Sequence, residues 1–120
     1  SQEIKMDGAI IVSTPQEVAL LDVKRGIKMF DKLGVKILGL VDNMSFFIGD
    51  DGKKYKIFGE GGVKKTAEEF QKDFLGEIPI YPSVGKCGDQ GKPIVESIPD
   101  HEISKIFIKL AEKIKSTYFN

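Results

Sequence analysis

The chain reads as an α/β fold, a partial three-layer α/β/α arrangement with parallel strands near residues 9–13, 36–42 and 74–78 and helices flanking them. Three observations predict it. The apolar runs at these positions are short, continuous and β-branched, as strands covered on both faces are. The first two runs enclose one well-bounded helical pattern, which makes a βαβ unit and implies parallel pairing with a right-handed crossover. The chain then closes on a long 3.6-residue apolar period rather than on further strands. The 120 residues are read as a single domain.

The elements follow in order. Ala9-Ile10-Ile11-Val12 is the first strand. Thr14 with Glu17 three residues later predicts a capping box, with Pro15 at the first helical position, where its missing N–H costs nothing. Leu20, Val23, Ile27 and Phe30 recur at helical spacing, Leu33 lies near the same face, and Gly34 is placed to end the helix. Val35 to Val41 is the second strand. Asp50-Asp51-Gly52, between Phe46-Phe47-Ile48 and Tyr55-Lys56-Ile57-Phe58, predicts a hairpin-like excursion. Gly59, Gly61 and Gly62 lead into a helix carrying Val63, Ala67 and Phe70. FLGEI at 74–78 is the third strand, stopped by Pro79, and residues 79–93 read as a loop. The last helix starts near Pro99-Asp100. Its stripe is Ile103, Ile106, Phe107, Leu110, Ala111, Ile114 and Tyr118, with Lys105, Lys109, Lys113 and Lys115 as a solvated face.

Composition removes several classes of function. Eighteen basic and eighteen acidic side chains give zero formal charge, so nothing favours nucleic acid or an anionic membrane surface. No apolar run approaches the ~20 residues that span a bilayer, and SQEIKMDG does not read as a signal peptide. One cysteine, Cys87, makes no internal disulfide, and a reducing, cytoplasmic setting is expected.

No G-x-x-x-x-G-K-[ST] loop is present, so the chain carries no phosphate cradle of that kind. The Gly59-Glu60-Gly61-Gly62 stretch precedes a helix and could meet a phosphate, but a turn and helix entry is the favoured reading. His101, the only histidine, reads as a surface residue at a helix start, Asp50 and Asp51 as turn residues, and Asp22 as solvent-exposed. Cys87 reads as a plain loop residue. No catalytic residue and no metal ligand is assigned. Ligands of open parallel sheets bind at the carboxyl ends of strands. Asn43 follows the second strand, and its amide offers donors and an acceptor to a base edge or, equally, to a turn. Thr14 and Pro79 hold equivalent positions after the first and third strands.

STPQEVALLDVKRGIKMF, LGLVDNMSFF, IFGEGG, FLGEIPIYP and GKPIVES, in this order and spacing, resemble the C-terminal half of Mrp/ApbC proteins, iron–sulphur cluster carrier ATPases related to MinD and ParA. The resemblance runs from about Asp7 to Ile98. NMS at 43–45 with IFGEGG at 57–62 is specific to this branch. It implies a P-loop NTPase fold whose Walker A and Walker B elements precede this chain, and a cytoplasmic, ATP- and magnesium-dependent homodimer that delivers clusters to apo-proteins. It also implies a base pocket walled by Asn43 and by Pro79 with the loop after it, at the sheet edge that Thr14 shares. The family usually has Asp-Pro where this chain has Tyr81-Pro82, so no role of that aspartate transfers. The family's Cys-x-x-Cys after NMSxF, whose thiolates from two subunits bridge the cluster, is replaced by Ile48-Gly49-Asp50-Asp51-Gly52. Cluster iron takes thiolates, so cluster ligation by this chain is not expected. A non-catalytic dimerisation or docking module, or a MinD/ParA-like regulatory ATPase, is the alternative.

Overall fold

The computed structural model describes residues 8–81, 91, 95 and 100–118. In chain order the elements are β1 (Ala9–Ser13), α1 (Glu17–Leu33), β2 (Ile37–Asn43), β3 (Phe47–Ile48), β4 (Lys54–Tyr55), α2 (Gly62–Glu69), β5 (Phe74–Ile78) and α3 (Glu102–Tyr118). β1, β2 and β5 form a parallel sheet in the order β1-β2-β5, with Ser13 opposite Asp42 and Asn43 opposite Ile78. The predicted strands hold. The second is shifted by one residue, so Asn43 ends β2 instead of following it. The predicted excursion is the β3-β4 hairpin, with Phe47 opposite Tyr55.

α1 and α2 cover one face of the sheet. Val23 and Ile27 of α1, Ile37 and Leu40 of β2, and Val63 and Ala67 of α2 form that core, and Ile27, Leu40, Val63 and Ala67 lose all contact with solvent. Enclosing a side chain such as Ile27 contributes roughly 1.5–3 kcal/mol. α3 covers the other face, where Ile103 packs with Val41, Leu75 and Ile78, and Ile106, Phe107, Leu110, Ile114 and Tyr118 border it.

Four expectations are corrected. β1 is not buried on both faces: Ile10 and Val12 are 38% and 56% exposed, because α3 lies over β5 and leaves the same face of β1 uncovered. The capping box does not form. Gln16 is the N-cap, its carbonyl accepts from Leu20 N at 3.0 Å, and Thr14 Oγ1 turns to Gln16 Oε1 at 3.0 Å. Thr14 precedes proline, which holds it extended and pushes the first helical residue beyond Pro15. Leu33 and Ala111 are exposed because each lies at the flank of its helical stripe, beyond the arc that one sheet face covers. Lys113 is more than solvated, since its Nζ reaches the carbonyls of Phe74 and Leu75 at 3.4 and 3.3 Å. Gly34 ends α1 in the left-handed region (φ 74°) as its lack of Cβ allows. Among the described residues, no helix is long and apolar enough to cross a membrane.

Candidate functional site at the carboxyl edge of the sheet

Parallel strands bring their carboxyl ends to one edge, so Thr14, Asn43 and Pro79 share that edge of the sheet. They do not share one cavity. Thr14 borders a hollow between β1 and α1 that Asp22 and Gly26 also line. Pro79 lies in a separate hollow of about 510 Å³ walled by Phe46, Phe47, Ile80, Ile103 and Ile106, with Lys54, Tyr81, His101 and Glu102 as its polar side chains. Asn43 is half-buried between them. Its Oδ1 accepts from Met44 N at 3.0 Å, and Met44 is left-handed at φ 56°. The turn role thus takes one lone pair of the amide. Among the described residues, no acceptor is seen for Nδ2, which keeps its hydrogens for another partner.

The histidine reading is corrected. His101 is half-buried, its Nδ1 accepts from Ile103 N at 3.1 Å, and its carbonyl accepts from Lys105 N, so it caps α3. A lone histidine before an apolar stripe carries no sequence sign of the tyrosine that meets it.

Sequence reasoning missed a buried acid. Asp42 is 3% exposed, beside Asn43 at the end of the central strand. Ser45 Oγ lies 3.1 Å from Asp42 Oδ2 and 2.8 Å from Glu77 Oε2, and Lys56 Nζ reaches Glu77 Oε2 at 3.3 Å. Among the described residues, no donor reaches Asp42 Oδ1. Burial pushes the Asp42 carboxyl above its ordinary value. The Ser45 hydroxyl and Lys56 ammonium oppose that shift, and the Glu77 charge adds to it. Burial also acts to raise Glu77, but the Ser45 hydrogen bond and the nearby Lys56 and Lys54 ammonium groups outweigh it and hold Glu77 low. The signal was an aspartate inside an otherwise apolar buried strand, where unpaired carboxylates are rare.

The glycine-rich stretch is a close-packed helix entry. A Cβ on Gly59 would lie 2.9 Å from the Pro15 carbonyl oxygen, and one on Gly62 would lie 2.5 Å from Leu20 Cδ1. In the hairpin turn Asp51 accepts from Lys53 N at 2.9 Å and from the Tyr55 hydroxyl, so both its oxygens are taken. Those bonds hold its carboxyl below the ordinary value, the Tyr55 hydroxyl foremost. Among the described residues, no three His, Cys, Asp or Glu side chains group as a metal site. Asp22 is exposed, 3.9 Å from Arg25. Cys87 and Pro82 lie outside the described residues.

A profile of ParA-type proteins, described as NUBPL iron-transfer P-loop NTPases, matches residues 1–115. The chain is 43% identical over 113 residues to an iron-sulfur cluster carrier protein of Aquifex aeolicus, covering 93% of this chain and 31% of that protein. It is 42% identical over 115 residues to the iron-sulfur cluster transfer protein NUBPL of Mus musculus, covering 95% of this chain and 36% of that protein. Among solved structures, a nucleotide-binding protein from Archaeoglobus fulgidus in complex with ADP superposes with a TM-score of 0.61 at 36% identity, over 72% of this chain and 36% of that one. The cell division ATPase MinD of Pyrococcus furiosus superposes with a TM-score of 0.69 at 25% identity, over 92% of this chain and 43% of that one. The chain spans about a third of the length of the curated relatives it matches.

Proposed function

The chain belongs to the ParA-type NUBPL iron-transfer P-loop NTPase family, and on that premise we propose that it is the carboxyl-terminal, base-binding part of an ATP-dependent iron–sulphur cluster carrier. The observation that carries this reading is the placing of Thr14, Asn43 and Pro79 at the carboxyl ends of three neighbouring parallel strands, Asn43 as the last residue of its strand. A base lying over that edge meets the free Nδ2 hydrogens of Asn43 and the ring of Pro79, while Thr14 marks the side toward β1. The whole protein is then a cytoplasmic, homodimeric ATPase that hands clusters to apo-proteins. Magnesium and the triphosphate belong to loops that this sequence does not contain. Among the described residues, no three His, Cys, Asp or Glu side chains group to hold that ion.

The cluster is the cargo of this proposed activity. The hairpin that stands where the family carries Cys-x-x-Cys offers Asp51, whose oxygens are engaged within the turn. We therefore place ligation of the cargo outside this hairpin. A docking role is favoured by a separate observation: Ile10 and Val12 of β1 and, on the outer side of α1, Val18, Leu21, Met29 and Leu33 are exposed, which suits surfaces covered by further polypeptide. Titration calorimetry of ATP into the complete protein tests the main reading. Asn43→Ala weakens binding by roughly 1–3 kcal/mol if the amide pairs with the base, and an unchanged Kd returns Asn43 to its turn role alone.

A further inference from the structure

We infer that Asp42 carries a proton in the folded protein and donates it to Ser45, which donates in turn to Glu77, and that this chain of hydrogen bonds positions Asn43. A serine hydroxyl has one hydrogen, and Ser45 Oγ lies within hydrogen-bond distance of two carboxyl oxygens. With both acids ionised, one contact would set an oxygen lone pair against a negative charge inside the fold. A hydrogen on Asp42 Oδ2 turns both contacts into hydrogen bonds.

The direction of the chain follows from what surrounds each end. Glu77, the shorter contact at 2.8 Å, also accepts from Lys56 Nζ and has a side chain 39% exposed. It is the end suited to a charge. Asp42 is 3% exposed, and among the described residues no lysine or arginine forms an ion pair with it. The charged groups acting on it are Glu77 of β5, which disfavours its ionisation, and Lys56 after β4, which favours it but is bonded to Glu77. Its Oδ1 meets no donor among the described residues. An orphaned oxygen is far less costly on a neutral acid than on a buried carboxylate.

Positioning follows from where the network attaches. Ser45 N donates to Ile78 O at 2.9 Å and Ile80 N donates to Phe46 O at 2.7 Å, so the main chain after the turn is tied to β5. Asp42 and Ser45 are joined by their side chains, and Asn43 and left-handed Met44 are the two residues between them. A left-handed methionine persists only where its surroundings fix it. The side-chain network and the ties to β5 supply that constraint, and with it the direction of the Asn43 amide. This last step rests on the base-binding reading of Asn43, whereas the proton on Asp42 does not.

The test uses the complete protein with ¹³C-carboxyl aspartate. Its infrared spectrum at neutral pH is expected to show one protonated carboxyl band, absent from Asp42→Asn. That variant keeps a neutral donor to Ser45 and is expected to hold its ATP affinity, with no change as pH rises. Wild-type affinity falls as alkali removes the Asp42 proton, and Asp42→Ala and Ser45→Ala bind ATP roughly tenfold more weakly. Absence of the band overturns the proton assignment, and an Asp42→Asn protein as impaired as Asp42→Ala overturns the network. A band that is present beside an Asn43→Ala variant of unchanged affinity upholds the proton on Asp42 and sinks the base-binding reading, and the positioning step with it.

Discussion

The Nε2 of His101 lies 2.6 Å from the hydroxyl oxygen of Tyr81, and the two rings tilt against each other with centroids 4.7 Å apart. Because His101 Nδ1 accepts from Ile103 N, the ring hydrogen sits on Nε2 and is donated to Tyr81. The tyrosine keeps its own hydrogen, which is available to a ligand acceptor in the hollow it lines beside Pro79. One histidine thus caps α3 and orients a donor.

Double-mutant analysis reads this pair. Tyr81→Phe keeps the ring contact and loses one hydrogen bond, at about 0.5–1.5 kcal/mol. His101→Ala loses the same bond and the cap of α3, worth about 0.5–2 kcal/mol in addition. Urea unfolding of both single variants and the double is expected to show a coupling of at least about 0.5 kcal/mol. Strict additivity would show that the contact contributes nothing to stability.

Ile27 tests the core under α1 and α2. It is fully enclosed among residues of α1, β2 and α2. Ile27→Ala removes buried methyl groups and leaves a cavity that a sheet and two helices cannot easily close, so it is expected to cost about 2–5 kcal/mol. Leu33→Ala, on the same helix but 64% exposed, is expected to fall within about 0.5 kcal/mol of wild type. Equal losses in chemical denaturation would mean that the helix is rotated from the described packing.

Much of the fold was legible because its signals are local. Continuous apolar runs marked the three parallel strands, Gly34 marked the end of α1, and the long period of α3 held except at Ala111. What failed depended on neighbours distant in sequence. The exposed face of β1 reflects where α3 lies, some 90 residues later, which no pattern within AIIVS encodes. At the carboxyl edge, the strand-end positions of Asn43 and Pro79 were legible to within one residue. The Asp42–Ser45–Glu77 network was not, since Glu77 is 32 residues from Ser45 and meets it only once β5 lies beside β2. His101 was misjudged for the same reason, as Tyr81 is 20 residues away.

Tyr118 predicts an alkaline limit. Its hydroxyl donates to the Asp73 carboxylate and lies against the Leu38 carbonyl, joining the end of α3 to the sheet. Burial first, then the Asp73 bond and charge, push its pKa from 10.0 up to about 12. The folded state thus prefers the protonated phenol. Its contribution is fully present below pH 10, the unfolded value, and is lost as pH rises toward about 12. Tyr118→Phe is expected to lower stability at neutral pH by about 1 kcal/mol and to flatten the decline between those pH values. Thermal melts across the range that show the same slope in wild type and variant would remove Tyr118 as the cause.

Bridging clusters are held by thiolates, and a two-fold dimer doubles whatever ligands one subunit presents. The hairpin presents Asp50 and Asp51, hard oxygen donors that suit magnesium or calcium better than cluster iron. Asp51 is further committed to Lys53 N and to the Tyr55 hydroxyl. Cys87 adds one thiolate per subunit, hence two in a dimer where four are needed. Anaerobic incubation of the chain with iron and sulphide, followed by desalting, is therefore expected to give a colourless protein with iron near zero. Asp51→Ala is expected to leave that result unchanged, because the hairpin is not a ligand. A stable visible charge-transfer band that Cys87→Ser abolishes would establish Cys87 as a ligand. Cluster ligation would then rest on Cys87 and not on the hairpin.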